Sequence, residues 1–130
     1  MITFDTGVLI SLERRERETW NRFRRLRERG VRLLVPASCE SEWWRGSSAH
    51  AEIRFAILPH VIPLTDPIAC AAGEALGSLA RTRRVNAATT IDAQVMATAA
   101  LHGPGAVLTS DPDDLRLFSR HFPHVAVERL

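Results

Sequence analysis

Acidic side chains gather in four short stretches of this chain. Asp5 closes "MITFD", Glu40 and Glu42 stand in "SCESEWWRG", Asp92 lies in "TTIDAQVMATAALHG", and Asp111, Asp113 and Asp114 crowd "VLTSDPDDL". Carboxylates are costly to dehydrate and repel one another, so several in one cleft call for a cation. Oxygen ligands without His or Cys select Mg²⁺ or Mn²⁺, ions that keep part of their water and bind substrate phosphates.

Each acid also has a plain structural explanation. Asp5 is a suitable helix N-cap. Asp92 follows Thr89 by three positions, as in a capping box, and is favoured by the helix dipole. Yet Val95, Met96 and Ala99 share its helical face, which puts it on or beside the stripe that faces the sheet. Glu42 can pair with Arg45 at i,i+3, and periodicity alone does not choose between Glu42 and Glu40. Asp111 precedes Pro112, so an N-cap with proline at N1 explains it, with Asp113 and Asp114 in the favourable first turn. Taken together, the four segments put acids at one edge of a sheet.

That edge follows from the order of elements. "MITFD" reads as a strand, and a helix runs from Val8 through Trp20, Phe23 and Leu26 to a stop at Gly30. "VRLLVP" is a second strand, followed by a short helix in "SCESEWWRG" with Ser38 as N-cap and Gly46 as stop. A helix over Ala49 to Leu58, a strand "HVIPL" and an alanine-rich helix from Asp66-Pro67 come next. "TTIDAQVMATAALHG" is a further helix, "GAVLTS" a strand and "VAVERL" a closing strand. Alternation of strand and helix predicts a single α/β domain over residues 1–130, its sheet mostly parallel and flanked by helices. Such sheets bind ligands outside the carboxyl ends of their strands.

Composition narrows the class. The chain has 130 residues, 45% hydrophobic, enough for one core. Cys39 and Cys70 form no metal-binding pattern and are expected as small buried hydrophobes, in a reducing cytoplasm. The N-terminus lacks a secretion signal, and the longest uncharged run, Ala93 to Ser110, is broken by Gly103, Pro104 and Gly105. Net charge is +2, and all 17 basic residues are arginine. Nine fall between Arg14 and Arg32, where Glu13, Glu16, Glu18 and Glu28 can pair with them at helical spacing. A solvated helix face is the first expectation there, and a surface for nucleic acid or an acidic partner the second. One of Trp43 and Trp44 is expected at the surface.

"ITFDTGVLI", "VPASCESEWWRG", "TTIDAQVMATAALHG" and "VLTSDPDDL" together resemble the PIN domain, specifically the VapC-type ribonuclease toxins of bacterial toxin–antitoxin pairs. The pieces occur in that family's order and span nearly the whole chain. The resemblance implies a PIN-like parallel sheet and a metal-dependent endoribonuclease. It assigns catalytic acids to Asp5, Glu42, Asp92 and Asp111, and prefers Glu42 because the family acid is followed by an apolar residue and then Arg-Gly. It places Mg²⁺, or Mn²⁺, on Asp5 and Asp92, with Asp111 and Asp114 holding waters or a second ion. Thr109 matches a small hydroxyl residue beside the metal. Glu42 would orient or deprotonate the attacking water, and the metal would activate it for in-line displacement at phosphorus. Implied partners are RNA, a VapB-like antitoxin that blocks the site with its C-terminal segment, and a second copy in a homodimer, with no membrane. Gly7 departs from the family, where a polar Asn or Ser is common.

Other classes fit less well. A receiver-type signalling domain needs a lysine beside its phosphate, and this chain has none. A DxDxT phosphatase needs an acid at Gly7. The remaining alternative is a non-catalytic PIN-like domain that binds RNA or antitoxin.

Overall fold

The computed structural model describes residues 1–130. Five strands, β1 (Ile2–Phe4), β2 (Leu33–Pro36), β3 (Val61–Ile62), β4 (Gly105–Thr109) and β5 (Val125–Arg129), form one sheet in the order β3-β2-β1-β4-β5. Every pairing is parallel, with Ile2 opposite Leu33 and Ala106, and Thr109 opposite Arg129. Seven helices connect them: α1 (Thr6–Glu13), α2 (Arg17–Glu28), α3 (Ala37–Trp43), α4 (Ser48–Ile57), α5 (Asp66–Ala80), α6 (Ala87–Leu101) and α7 (Pro112–Arg116).

The central strands are buried and, apart from Thr3 and Thr109, apolar, because both faces are covered. Leu33, Leu34, Val35, Val107 and Leu108 are all buried, as a parallel sheet between helices requires. Phe4, Leu9, Leu12, Phe23, Met96 and Phe118 fill the core around them. α6 contacts β1, β2, β4 and β5 and pairs with α5, which explains its run of small buried residues, Ala93, Ala97 and Ala99.

Several boundaries differ from the sequence expectation. The helix read from Val8 to Arg29 is two helices, broken where Arg15 takes a positive φ of 57°. The break is stabilised by polar contacts, since Ser11 Oγ donates to the Glu16 carboxylate and meets the Thr19 hydroxyl at 2.6 Å. Ser38 lies inside α3, whose N-cap is Pro36. β3 is only two residues long. Cys39 is buried as expected, but Cys70 is exposed on α5.

The order of connections matters for function. After β1 the chain builds β2 and β3 on one side, then crosses to place β4 and β5 on the other. The crevice beyond the carboxyl ends of β1 and β4 is therefore the switch point of the sheet, where open α/β folds take their ligands.

Candidate active site

Asp5 leaves β1 directly into that crevice and caps α1. Its Oδ1 accepts from the Thr6 amide at 2.6 Å, and its Oδ2 accepts from the Thr109 hydroxyl at 2.7 Å. Thr109, fully buried at the end of β4, also accepts from the Asp111 amide at 3.0 Å. One hydroxyl thus joins the ends of the two central strands and fixes the Asp5 carboxylate. Burial raises the Asp5 pKa, while the hydrogen bonds from Thr109, Thr6 and Gly7 hold it down. Capping a helix and facing the crevice are compatible jobs for this residue.

Asp92 is not a capping residue. α6 begins a turn earlier than the sequence suggests, with Asn86 as N-cap accepting from the Thr89 amide at 3.0 Å and Thr89 completing the box. Asp92 therefore stands in the second turn, half-buried and without a hydrogen-bond or ion-pair partner. Burial first, then the charges of Asp5, Asp114, Glu42 and Asp111, push its carboxyl up to about 7. All four of these charges are acidic, and no arginine or histidine forms an ion pair with Asp92.

The two glutamates of α3 separate cleanly. Glu40 accepts from Arg54 Nε at 2.8 Å, on the side away from the crevice where Arg54 also lies over the Trp44 ring. Glu42 feels Asp5, and burial followed by that repulsion raises its pKa, partly opposed by Arg45. After β4, Asp111 is the N-cap of α7 by position but makes no side-chain cap bond. Asp113 pairs with Arg116 at 3.1 Å and is exposed. Asp114 acts on Asp92. The structure thus gathers Asp5, Glu42, Asp92, Asp111 and Asp114 at one edge and leaves Glu40 and Asp113 outside.

One arrangement was not legible in the sequence. Glu13, which sequence spacing offered to the neighbouring arginines, instead accepts from Trp43 Nε1 at 3.0 Å and pairs with His50 Nε2 at 2.8 Å. His50 Nδ1 accepts from the Arg45 amide at 3.1 Å, and its ring stacks on Trp43 at 4.6 Å. The clamp holds the segment just after Glu42 against α1. The His50 and Trp43 contacts keep the Glu13 carboxyl below its ordinary range. Residues this far apart in sequence leave no periodic signal. Trp43 is buried by these contacts, and Trp44 is the more exposed of the pair.

The donor set suits a hard divalent ion. All ligand atoms on offer are carboxylate oxygens, and the Asp92 carboxylate has no other partner to neutralise it. No three acids close on one point tightly enough to cage an ion by themselves. Mg²⁺ does not need such a cage, because it binds through one or two carboxylates and keeps several waters.

An all-parallel sheet of this order, with acids at its switch point, is a PIN-like fold. The chain is similar to one in VapBC2 from Rickettsia felis bound to a DNA fragment from their promoter, at TM-score 0.75 and 11% identity over 100% of this chain and 99% of that one. It is similar to one in DNA-bound VapBC from Salmonella typhimurium, at TM-score 0.67 and 19% identity over 98% and 96%. A third likeness is to FitAcB from Neisseria gonorrhoeae, at TM-score 0.64 and 18% identity over 98% and 96%. No protein-family model matches the sequence, and no curated protein matches it significantly. At this identity the likeness establishes the fold. No helix is long and apolar enough to cross a membrane.

Proposed function

We propose that this protein is a Mg²⁺-dependent endoribonuclease, the toxin of a toxin–antitoxin pair. The observation that carries the reading is Asp92, a half-buried carboxylate that makes no ion pair and feels the charges of four other acids. Repulsion of this kind persists in a fold when an ion offsets it in the working state.

In this reading Asp5 and Asp92 would hold the ion, and Asp111 and Asp114 would support its water ligands. A divalent ion there supplies charge neutralisation and water activation for displacement at phosphorus. Thr109 and the Thr6 amide hold the two oxygens of the Asp5 carboxylate in one orientation. Glu42 stands at the rim, open to solvent yet partly desolvated and close enough to Asp5 for its pKa to be raised, and it takes the proton from the attacking water. Mn²⁺ satisfies the same oxygen set.

The likeness to chains of VapBC and FitAB assemblies supports an antitoxin partner. We assign this chain a VapB-like antitoxin, whose basic tail residue would enter the acid crevice and displace the ion, and a homodimeric state.

The test is cleavage of end-labelled RNA in Mg²⁺ or Mn²⁺, with and without EDTA, beside an Asp5→Asn/Asp92→Asn control. Metal-dependent fragments absent from the control are expected. Identical cutting by the control, or none by the wild type in either metal, overturns the reading.

A further inference from the structure

Beside Ser110, the α2 face from Glu16 to Arg25 and the end of β5 wall a groove of about 800 Å³. Arg17, Arg22, Arg25 and Arg129 line it, with Glu16 and Glu18 beside Arg17. Ser110 lines it too, and Ser110 is the residue between Thr109 and Asp111. The groove therefore ends one residue short of Asp111 in the chain.

Its arginines are of two kinds. Arg22 donates to the Glu128 carboxylate at 2.7 Å, and Arg129 donates to the Ser110 carbonyl at 3.3 Å. These two are committed to the protein and hold the wall to the strand end. Arg17 and Arg25 are exposed and have no acid within ion-pair distance. They stand eight residues apart, roughly 12 Å along the helix axis. Glu16 turns its carboxylate to Ser11, and α2 begins without a side-chain cap, so its first amides add donors beside Arg17.

We propose that this groove carries the backbone of single-stranded RNA to the acid cluster, with Arg17 and Arg25 each engaging a phosphate. The inference rests on the nuclease reading and names its substrate track. A guanidinium fork matches phosphate geometry. A polyanion passing beyond Ser110 meets carboxylates, and only a ligand that shares a divalent ion with them continues past that point. A phosphodiester does so, which favours RNA over an acidic polypeptide.

The probe is a labelled oligouridylate of about a dozen nucleotides, bound to the full chain in EDTA across a KCl series and followed by anisotropy. Arg17→Gln/Arg25→Gln should weaken binding at least about tenfold at low salt and reduce the slope of log K against log salt by about 1.4, two phosphate contacts' worth for a single strand. Arg29→Gln/Arg32→Gln removes the same charge outside the groove and should leave that slope near wild type. Circular dichroism checks that both variants fold. Equal effects of the two pairs, or no binding by wild type, overturn the proposal. So does polyglutamate binding as tightly as the oligouridylate with the same dependence on Arg17 and Arg25. Cleavage of the same oligouridylate in Mg²⁺ separates the two readings. Groove-dependent binding without cleavage supports the track and counts against the nuclease, whereas cleavage with groove-independent binding does the reverse.

Discussion

Arg54 reaches from α4 to Glu40 on α3, Nε to Oε1 at 2.8 Å, with its guanidinium 5.7 Å from the Trp44 ring centroid. That pairing satisfies one of the two glutamates of "SCESEWWRG" and turns it from the crevice. Glu42 is left facing Asp5. Glu42→Gln should lower RNA cleavage about a hundredfold, the loss of a proton acceptor. Glu40→Gln should keep near wild-type cleavage and lose only the modest stability of a partly exposed ion pair. Single-turnover rates of the two variants decide, and a reversed pattern sinks the assignment.

Asp92 makes stability depend on pH in a stated direction. Its carboxyl pKa rises from 3.8 to about 7 on folding, so between those values the folded state binds a proton that the unfolded chain has released. Stability of the metal-free protein from this group is then greatest at low pH and falls as pH rises from about 4 to about 7. Burial raises Asp5 and Glu42 in the same sense. In EDTA, Asp92→Asn should raise the melting temperature at pH 8 and change it little at pH 4. Mg²⁺ at pH 8 should stabilise the wild type by linkage and the variant less. Parallel melting profiles for the two proteins across pH would remove Asp92 from the cluster.

The three acids of "VLTSDPDDL" are predicted to differ. Asp113 is spent on Arg116 in an exposed pair worth at most about 1 kcal/mol. Asp111 follows the strand end with its amide tied to Thr109, and Asp114 faces Asp92. Asp111→Asn should abolish most cleavage, Asp114→Asn should give an intermediate loss, and Asp113→Asn almost none. Comparable damage from all three in single-turnover assays at saturating Mg²⁺ means that the acids act as one cluster.

Legibility in the sequence followed the range of the interaction. The strands β1, β2 and β4 are readable because burial on both faces writes itself as short, mainly apolar runs bounded by acids and proline. Gathering acids at the strand ends followed from alternation alone, and the separation of Glu42 from Glu40 came only through family resemblance. Local signals misled where two were in competition. Thr89 and Asp92 have the spacing of a capping box, yet Asn86 three residues earlier is the better N-cap, and it moved the start of α6. The apolar stripe from Val8 to Leu26 looked continuous because its polar break lies in side-chain contacts among Ser11, Glu16 and Thr19. The Glu13–His50 clamp joins α1 to α4 and is a product of the fold.

Gly7 offers the sharpest test of how the acids are held. It stands in the first turn of α1, with a helical φ that any residue adopts, so alanine there would ordinarily gain about 1 kcal/mol of helix propensity. A Cβ at this position, however, overlaps the Ser110 hydroxyl and lies 3.1 Å from Ser110 Cβ and 3.3 Å from its amide nitrogen. Ser110 is exposed, and rotation of its side chain relieves the first contact. The other two involve the strand end itself, so relief requires a shift of a few tenths of an ångström in the backbone between Thr109 and Asp111. Propensity gained and packing lost then nearly offset each other, and stability should change by less than about 1 kcal/mol. Cleavage responds to position, and a displacement of 1 Å costs about a hundredfold in rate. Gly7→Ala should therefore cut the single-turnover rate about tenfold while the melting temperature stays close to wild type. Adding Ser110→Gly removes the Cβ contact and should restore much of the rate. If Gly7→Ala cleaves as fast as the wild type, the close seat of Ser110 on Gly7 plays no part in placing Asp111.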